Sequence, residues 1–389
     1  MNALPVTLPS PRDENWKYAN LRGLARARFE PAPRPSADVL ARVAAALPAP
    51  LEGYERLVLV DGYLMSTDGR SSASVAVPNG AVADTTAVVA EADRYFLALN
   101  RRLRAETLQL TVAAHQRRAV EVVVVAVTNA HPALEIVVGD GATLSLIERH
   151  LTLSSDPTVT NLAVTGTVGA QGCLEFSRIG HHGTKAQHVE TLELTLHEAA
   201  SAKVIQLVAG ASATRTTAFV DHRGRDSSLE WHATALGEGT QHHDMYVRVA
   251  HSAPGARSQQ QFRGIASGRS RVAFNGHMRV DANSPGAQSD QSLKCLLAGT
   301  EAEADVRPQL EIYTDAVKAS HGATVGKLDP DMLFYLLSRG IPEEAAASLL
   351  KWAFVSDVLS HLPSAPLRSQ VEAALERLLP GAVAARSGT

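Results

Sequence analysis

The middle of the chain is built from a repeating unit. From about residue 107, short runs rich in β-branched residues alternate with turns of Gly, Ala, Asp and Ser. The pieces "GDGATLSL", "GAQGCLEF", "EAASAKVI" and "GRDSSLEW" recur about every 25 to 30 residues and carry an apolar residue at a matching position: Leu144, Leu174, Val204 and Leu229. This period predicts strands stacked in successive coils, because each unit can bury its apolar face only against its neighbours.

The predicted fold is therefore mainly β. No segment with helical periodicity interrupts the repeats, which excludes an alternating α/β sheet. The favoured arrangement is a parallel β-helix or another β-solenoid, and an ordinary antiparallel sandwich is the alternative. Aromatic residues make up only 5% of the chain, which suits thin stacked strands better than a large mixed core.

The regions on either side of the repeats have helical signals. An Ala-rich helix is expected at about residues 37–47, and an amphipathic helix in "DRYFLALNRRLRAE". After the repeats, Asp329 is a helix cap followed by Pro330, and Gly340 ends that helix before two more begin. The predicted domains are an N-terminal mixed helical segment (1–106), a β-helix core (107–325) and a C-terminal helical domain (326–389).

Charge and hydropathy exclude several classes of partner. The formal net charge of the 389 residues is -3, and Lys and Arg are interspersed with Asp and Glu, so neither a nucleic acid nor a membrane surface is an expected partner. No apolar run approaches the roughly 18 residues that a membrane span requires. We therefore expect a cytoplasmic protein.

The stretch "KASHGATVGK" resembles a phosphate-binding loop but fails its requirements. His321 stands where the first glycine should be, and Leu328 follows Lys327 where a Ser or Thr should bind magnesium. We therefore expect this chain to bind no nucleotide. The motifs HExxH, GxSxG and GxGxxG after a strand are also absent from the sequence.

Two local groups of histidines are candidate metal sites. Adjacent histidines on a strand point to opposite faces, so each pair offers at most one ligand to a given site. The alternative interpretation is that these are solvated turn residues. The groups are His181, His182 and His188 in "HHGTKAQH", and His242, His243, Asp244 and His251 in "QHHDMYVRVAH".

Three further side chains have reactive chemistry. Cys173 and Cys295 lie in apolar runs far apart in the sequence, so they are expected to be small buried residues rather than a disulfide or a metal site. His321 lies between the last repeat and the helices, where a polar side chain can face a neighbouring molecule. A hydrogen-bonded structural histidine is the alternative.

The same region carries a family resemblance. The segment "RPQLEIYTDAVKASHGATVGKLDPDMLFYLLSRGI" resembles the signature of the SufB/SufD family of iron-sulfur cluster assembly proteins. The similarity extends upstream through "FRGIASGRSRVAFNGHMRVDANSPGAQSDQSLKCLLAG" and returns in "NWKYANLRGL" near the N-terminus. It covers the last two-fifths of the chain closely and the first thirty residues loosely.

Within this family the sequence is more similar to SufD than to SufB. SufB chains carry an essential cysteine where this sequence has Ala302, and they tend to have Glu where Gly322 follows the histidine. Some SufD chains have a cysteine two residues before that histidine, but here the residue is Ala319. No thiol at that position can be essential in this chain.

The resemblance implies a right-handed parallel β-helix and a non-catalytic subunit of a SufB/SufC/SufD scaffold. The chain would pair with SufB through the β-helix core, and its C-terminal helices would dock SufC, an ABC-type ATPase that binds the nucleotide. His321 would be a ligand for iron, or for a transient iron-sulfur cluster shared with SufB, at the interface between the two subunits. The residues expected to contact SufC are Leu349, Leu350, Trp352 and Phe354.

Two alternatives lie outside this family function. One is a homodimeric structural protein without a metal, and pairing with a second copy is also open to the lone chain. The other is a carbohydrate-active β-helix enzyme, which would present a carboxylate cluster in a groove.

Overall fold

The prediction of a mainly β solenoid is confirmed. The structure, a computed structural model, describes residues 7–65, 74–76, 91–376 and 379. Strands occupy about half of the described chain and far more of it than helices do. They are β1 (Glu55–Val60), β2 (Tyr63–Leu64), β3 (Ser74–Ala76), β4 (Thr107–Val112), β5 (Arg117–Ala126), β6 (Ala133–Val138), β7 (Thr143–Thr152), β8 (Val159–Val168), β9 (Cys173–His182), β10 (Gln187–Leu196), β11 (Ser201–Gly210), β12 (Ala213–His222), β13 (Ser228–Gly237), β14 (His242–His251), β15 (Arg257–Ser267), β16 (Arg271–Val280), β17 (Ala287–Ala298), β18 (Glu303–Ile312) and β19 (Val317–Lys327).

The strands form two sheets that the chain visits alternately. Sheet A has ten strands in the order β19-β17-β15-β13-β11-β9-β7-β5-β1-β2, and sheet B has nine in the order β18-β16-β14-β12-β10-β8-β6-β4-β3. From β4 onward each strand pairs in parallel with the strand two places along the chain. This is the topology of a parallel β-helix, and it excludes the antiparallel sandwich.

The register confirms the sequence repeat with one correction. Leu144 pairs with Leu174, and both Leu174 and Leu229 pair with Ala202. Val204 is therefore two residues beyond the position that the repeat predicted for it. Its side chain still lies on the same face of the strand because strand faces alternate with a period of two.

The turns explain why the repeat carries Gly and Asp. In each coil one turn residue has a positive φ and donates its backbone N–H to the same turn of the next coil, as Gly141 does to Ala170 at 2.8 Å. Glycine adopts this conformation without strain, and Asp tolerates it better than most residues. The stacked turn residues are His115, Gly141, Gln171, Ala199, Asp226, Gly255 and Gly286.

The interior of the coil is a continuous apolar core. Alternate residues of each strand point inward and stack in register, as Leu146, Phe176, Val204 and Trp231 do in sheet A. All four are at most 1% exposed. Such ladders contribute most of the fold's stability, since burying an apolar side chain of this size is worth about 1.5 to 3 kcal/mol.

Helices pack on the outside of the coil at both ends of the chain. The described α-helices are α1 (Leu21–Leu24), α2 (Ala37–Ala46), α3 (Tyr95–Leu103), α4 (Pro330–Ser338), α5 (Glu343–Leu359) and α6 (Ala365–Glu376). Ser36 caps α2 and Asp329 caps α4 through side-chain hydrogen bonds to backbone N–H groups. The predicted helices at residues 37–47 and after Asp329 are therefore confirmed.

The C-terminal helices cover part of sheet A. Trp352 and Val355 of α5 pack in one cluster with Ile205, Leu207 and Leu236, whose side chains point outward from the sheet. The outer face of these strands is apolar for that reason, which explains why their sequence lacks a regular apolar and polar alternation.

The domain boundaries remain predictions, but the strands bear on both of them. Strand β1 already pairs in parallel with β5, so sheet A includes part of the predicted N-terminal segment. Strand β19 ends at Lys327, two residues beyond the predicted end of the core at 325.

Candidate functional site

The last coil differs from all the coils before it. No residue of β18 or β19 is buried, whereas β15 and β17, the next strands back in sheet A, both have buried inward-facing residues. Both strands are at the edge of their sheets, so one side of each has backbone groups without a partner strand. The described solenoid is therefore open at this end.

His321 lies in the middle of this open coil. It is exposed, and its register partner in β17 is Gln291, which is 1% exposed. Residues in register share a face, so His321 is on the inward-facing side of the coil, together with Ala319 and Ala323. It is accessible only because no further coil covers it.

A column of polar side chains leads inward from His321. Gln291 pairs in register with Gln260, which is 0% exposed, and the side-chain amides of both have no hydrogen-bond partner among the described residues. Both lie beside Gly276, where an added Cβ would be 3.2 Å from Gln291 Nε2 and 3.3 Å from Gln260 Oε1. The interior behind His321 is thus polar, whereas Trp231, Val204 and Phe176 occupy the same register position in earlier coils.

Exposed apolar residues concentrate around the same end. Of the nine large apolar side chains that are exposed in the described residues, all but Val75 and Val137 lie between Ile312 and Leu337. Phe334 on α4 is 72% exposed, and Met332 and Tyr335 exceed 50%. An apolar patch of this kind on a protein surface marks an interaction site.

The residues predicted to dock SufC lie on both faces of α5. Trp352 is only 3% exposed and belongs to the cluster that packs on sheet A, so it is not available to a partner in this structure. Leu349, Leu350 and Phe354 are partly exposed. The docking prediction remains untested. Of its four residues, only Leu349, Leu350 and Phe354 have accessible surface that could contact SufC.

The predicted histidine groups are not solvated turn residues. His182 and His188 are 7% and 4% exposed, and His243 and His251 are 2% and 0% exposed. They lie in strands, so neighbouring histidines do point to opposite faces: His181 is partly exposed beside buried His182. The sequence interpretation as turn residues was wrong because turns in a solenoid are so short that these residues fall within the strands.

The first group belongs to a charged cluster inside the coil that sequence reasoning missed. Arg178 donates to Glu148 Oε1 at 2.8 Å and to Glu190 Oε2 at 2.9 Å. His150 Nε2 lies 2.7 Å from Glu148 Oε1, and His188 Nε2 lies 3.0 Å from Glu190 Oε2. The strand register would have revealed this cluster, because Glu148 and Arg178 occupy the same inward-facing position in successive coils.

Burial and charge determine the protonation of this cluster. Burial alone would raise the pKa of Glu190, but the charge of Arg178 and the hydrogen bond from His188 hold it well below its ordinary value. The pKa of Glu148 is lowered in the same way, against burial, by Arg178 and His150. Burial lowers the pKa of both His182 and His188, so both imidazoles are neutral near pH 7.

The two cysteines differ in exposure. Cys295 is buried, and burial raises the pKa of its thiol to about 12, which makes it an inert apolar side chain as predicted. Cys173 is only partly buried, so that prediction holds for one cysteine of the two.

The carbohydrate-active alternative requires a groove lined by carboxylates, and such a groove lies between α3 and sheet B. It has a volume of about 330 Å³ and is lined by Glu135, Glu193 and Asp221 among others. Glu193 lies 3.5 Å from Arg94, Asp221 lies 2.7 Å from Arg223, and Glu135 accepts a hydrogen bond from Gln109. Each carboxylate of this groove is paired, which does not favour the enzyme alternative.

Among the helices of the described residues, none has the length and hydropathy needed to cross a bilayer.

Comparison with known proteins identifies the family. A model described as "SUF system FeS cluster assembly, SufBD core domain" matches residues 122–354, which is more than half of the chain. The match runs through the stacked coils, the open coil with His321 and most of α5. The chain belongs to the SufB/SufD family of iron-sulfur cluster assembly proteins.

Within that family the similarity is to SufD. The chain is 29% identical to the iron-sulfur cluster assembly protein SufD of Escherichia coli, over 97% of this chain and 91% of that protein. It is 28% identical to SufD of Bacillus subtilis over 40% of this chain and 42% of that protein. A SufBD family protein of Synechocystis is 23% identical over 94% of this chain and 86% of its own length.

Proposed function

We propose that this chain is the SufD-like, non-catalytic subunit of an iron-sulfur cluster assembly scaffold, and that its open coil pairs with SufB. The single observation that carries this proposal is the uncovered last coil, which combines edge strands, exposed apolar residues and an exposed histidine. Edge strands of this length invite pairing with another chain. A partner solenoid that continues the sheets would cover them and bury the apolar patch. A second copy of this chain offers the same surface, so the lone chain can form a homodimer.

His321 is the proposed ligand for iron or for the nascent cluster at this interface. Imidazole is a credible iron ligand, and the cluster is the cargo of the scaffold rather than a resident cofactor. In this chain neither cysteine reaches the site by register, since Cys295 pairs with Val325, four residues beyond His321. The thiolates of a cluster would therefore come from SufB, and SufB and this chain would share the cargo.

The ATPase function belongs to SufC in this proposal, and this chain binds no nucleotide. SufC would dock on the accessible side of α5, at Leu349, Leu350 and Phe354. Nucleotide-driven dimerisation of SufC would then pull on the helices and shift the population toward an open interface.

The pairing can be tested with two matched valines. Val325 on β19 is 42% exposed and Val137 on β6 is 39% exposed. With SufB present, Val325→Asp should weaken the heterodimer at least tenfold, because a charge would enter an apolar interface, whereas Val137→Asp should not. The measurement is the mass of the co-expressed complex in solution. Equal binding by the two variants would place the interface elsewhere.

The ligand role of His321 has a separate test. The complex with SufB and SufC is expressed anaerobically, and iron and sulfide are counted for the wild type, for His321→Ala and for His197→Ala, an exposed histidine on a turn. We expect cluster content to fall only in the His321 variant, while the mass of the complex is unchanged. Full cluster content in His321→Ala would remove the ligand role but leave the pairing intact.

Docking of SufC is tested on two neighbouring helices. Leu350→Asp on α5 should reduce capture of SufC, whereas Ala373→Asp, which adds the same charge at an exposed position of α6, should not. Unchanged capture by Leu350→Asp would argue against this surface.

A further inference from the structure

Three histidines lie together inside the β-helix, away from the open coil. The ring centroids of His150, His182 and His188 are 5.4, 4.9 and 4.4 Å apart. Nitrogen or oxygen atoms of His150, His188 and Glu190 all lie within 4.8 Å of one another. Tetrahedral coordination at about 2 Å places ligand atoms about 3.3 Å apart, so small side-chain movements would bring His150 and His188 to coordination distance. The ring of His182 lies 4.4 Å from that of His188 and can supply the third nitrogen.

Carboxylates hold two of these rings by one nitrogen each. Glu148 accepts from His150 Nε2 and Glu190 accepts from His188 Nε2. The other nitrogen of His188, Nδ1, is buried and has no hydrogen-bond partner among the described residues. Metal-binding histidines have this arrangement, in which one N–H is donated to a carboxylate and the opposite lone pair faces the ion.

Glu190 is better suited to positioning than to coordination, whereas Glu148 Oε2 is buried without a hydrogen-bond partner among the described residues. Glu190 Oε1 already accepts from Gln206 and Thr216 at 2.6 Å each, and its Oε2 accepts from Arg178 at 2.9 Å. With one guanidinium against two carboxylates, the cluster has a formal charge of -1 when its imidazoles are neutral. This charge favours a cation over an anion in the cluster.

The available space fits one ion. The cluster encloses a cavity of about 10 Å³, which is about the volume that a single water-sized sphere occupies. Gly180 makes room for the rings: it pairs in register with His150, and a Cβ at this position would lie 2.9 Å from His182 Nε2. His150 and His182 are 6% and 7% exposed, so the cluster is not sealed completely from solvent.

We propose that His150, His182 and His188 bind one divalent transition-metal ion inside the β-helix, with Glu148 and Glu190 as positioning residues. Imidazole ligands suit zinc, iron, nickel and copper, whereas calcium and magnesium prefer sites built from several oxygen ligands. The site is distinct from His321, which is several coils away in sheet A, and the proposal does not depend on the proposed assembly function.

The test uses the full chain, freed of metal with a chelator and titrated with Co²⁺ and then Zn²⁺. The wild type should bind one Co²⁺ per chain with visible absorption bands typical of nitrogen coordination, and Zn²⁺ should displace it and raise the temperature of unfolding. His188→Ala should bind Co²⁺ at least tenfold more weakly. His197→Ala, which removes an exposed histidine with no proposed binding role, should bind as the wild type does.

A second buried histidine pair provides the matched control. The rings of His222 and His251 are 4.7 Å apart, but their polar partners are Ser227 and Ser258, with no carboxylate. His251→Ala should therefore leave Co²⁺ binding unchanged. Binding by His188→Ala with wild-type affinity would overturn the proposal.

One measurement requires no variant and so does not depend on the folding of His188→Ala. X-ray absorption of the Zn²⁺-loaded wild type should show three imidazole ligands. Oxygen-dominated coordination, or no zinc-dependent shift in the unfolding temperature, would mean that the cluster is a hydrogen-bonded structural network and no metal site.

Discussion

The inner coils and the last coil have similar strands but opposite environments. Gln291 in β17 and His321 in β19 are register partners on the same face, yet the first is 1% exposed and the second belongs to the exposed residues. The difference arises because each inner coil is covered by the coil that follows it, whereas the last coil is not covered. A solenoid therefore concentrates its capacity for binding at an end where the stacking stops.

The largest expected effect comes from breaking the charged cluster of the inner coils. Arg178→Met leaves Glu148 and Glu190 buried without their cation, so the free energy of unfolding should fall by about 3 to 5 kcal/mol. In the last coil, Arg307→Met removes an exposed ion pair with Glu14 and should cost less than about 1 kcal/mol. Chemical denaturation of the two variants measures both values. Similar losses would show that the inner cluster does not depend on its cation.

Truncation of an apolar side chain should sharpen the same contrast. Leu293 in β17 is 0% exposed, and Leu293→Ala should cost about 2 to 5 kcal/mol because a cavity remains between covered coils. Val325→Ala in β19 should cost less than about 1 kcal/mol in the isolated chain. Equal losses of stability in the two variants would mean that the last coil is covered in solution. The mass of the protein in solution would then show whether a second copy covers it.

Most of the fold could be predicted from the sequence because each coil of a solenoid contacts only the coils next to it. The turn residues recur at each coil, and caps such as Ser36 and Asp329 mark the helices. The position of Val204 was wrong by two residues because apolar residues two apart share a face, and only the backbone pairing distinguishes them.

The candidate sites were less predictable. The sequence placed His321 between the last repeat and the helices, whereas the structure places it within the last strand of the last coil, and the family resemblance was needed to give it a role. The interior cluster was missed because Glu148, Arg178 and Glu190 come from three strands of two sheets. The docking of SufC on α5 stays a prediction, and the sequence alone did not reveal that Trp352 packs on sheet A.

The response to acid should also distinguish the two regions. His243 is buried. Its Nε2–H donates to the Leu236 carbonyl oxygen, and its Nδ1 accepts from the Thr214 hydroxyl. Burial lowers its pKa to about 4, so between pH 6.5 and 4 the unfolded chain binds a proton that the folded chain does not. Stability is then present above pH 6.5 and is lost as the pH falls.

The expected size of this effect is about 2 kcal/mol between pH 7 and pH 5 for His243 alone. In His243→Gln the free energy of unfolding should fall less steeply with acid than in the wild type, whatever its value at pH 7. Val325→Ala, which removes no titratable group from the last coil, should retain the wild-type slope. Denaturation at several pH values checks this, and a wild-type slope in His243→Gln would mean that other groups dominate.

The smallest effect on stability is expected on α4, beside the open coil. Phe334 is 72% exposed, so Phe334→Ser should change the free energy of unfolding of the isolated chain by less than about 0.5 kcal/mol. The same variant should reduce association, with SufB or between two copies, because the patch around Phe334 loses its largest accessible ring. Sedimentation of wild type and variant at matched concentrations measures association, and denaturation measures stability. Unchanged association would confine the interface to the strand edges, where backbone pairing and Val325 would have to hold the partner.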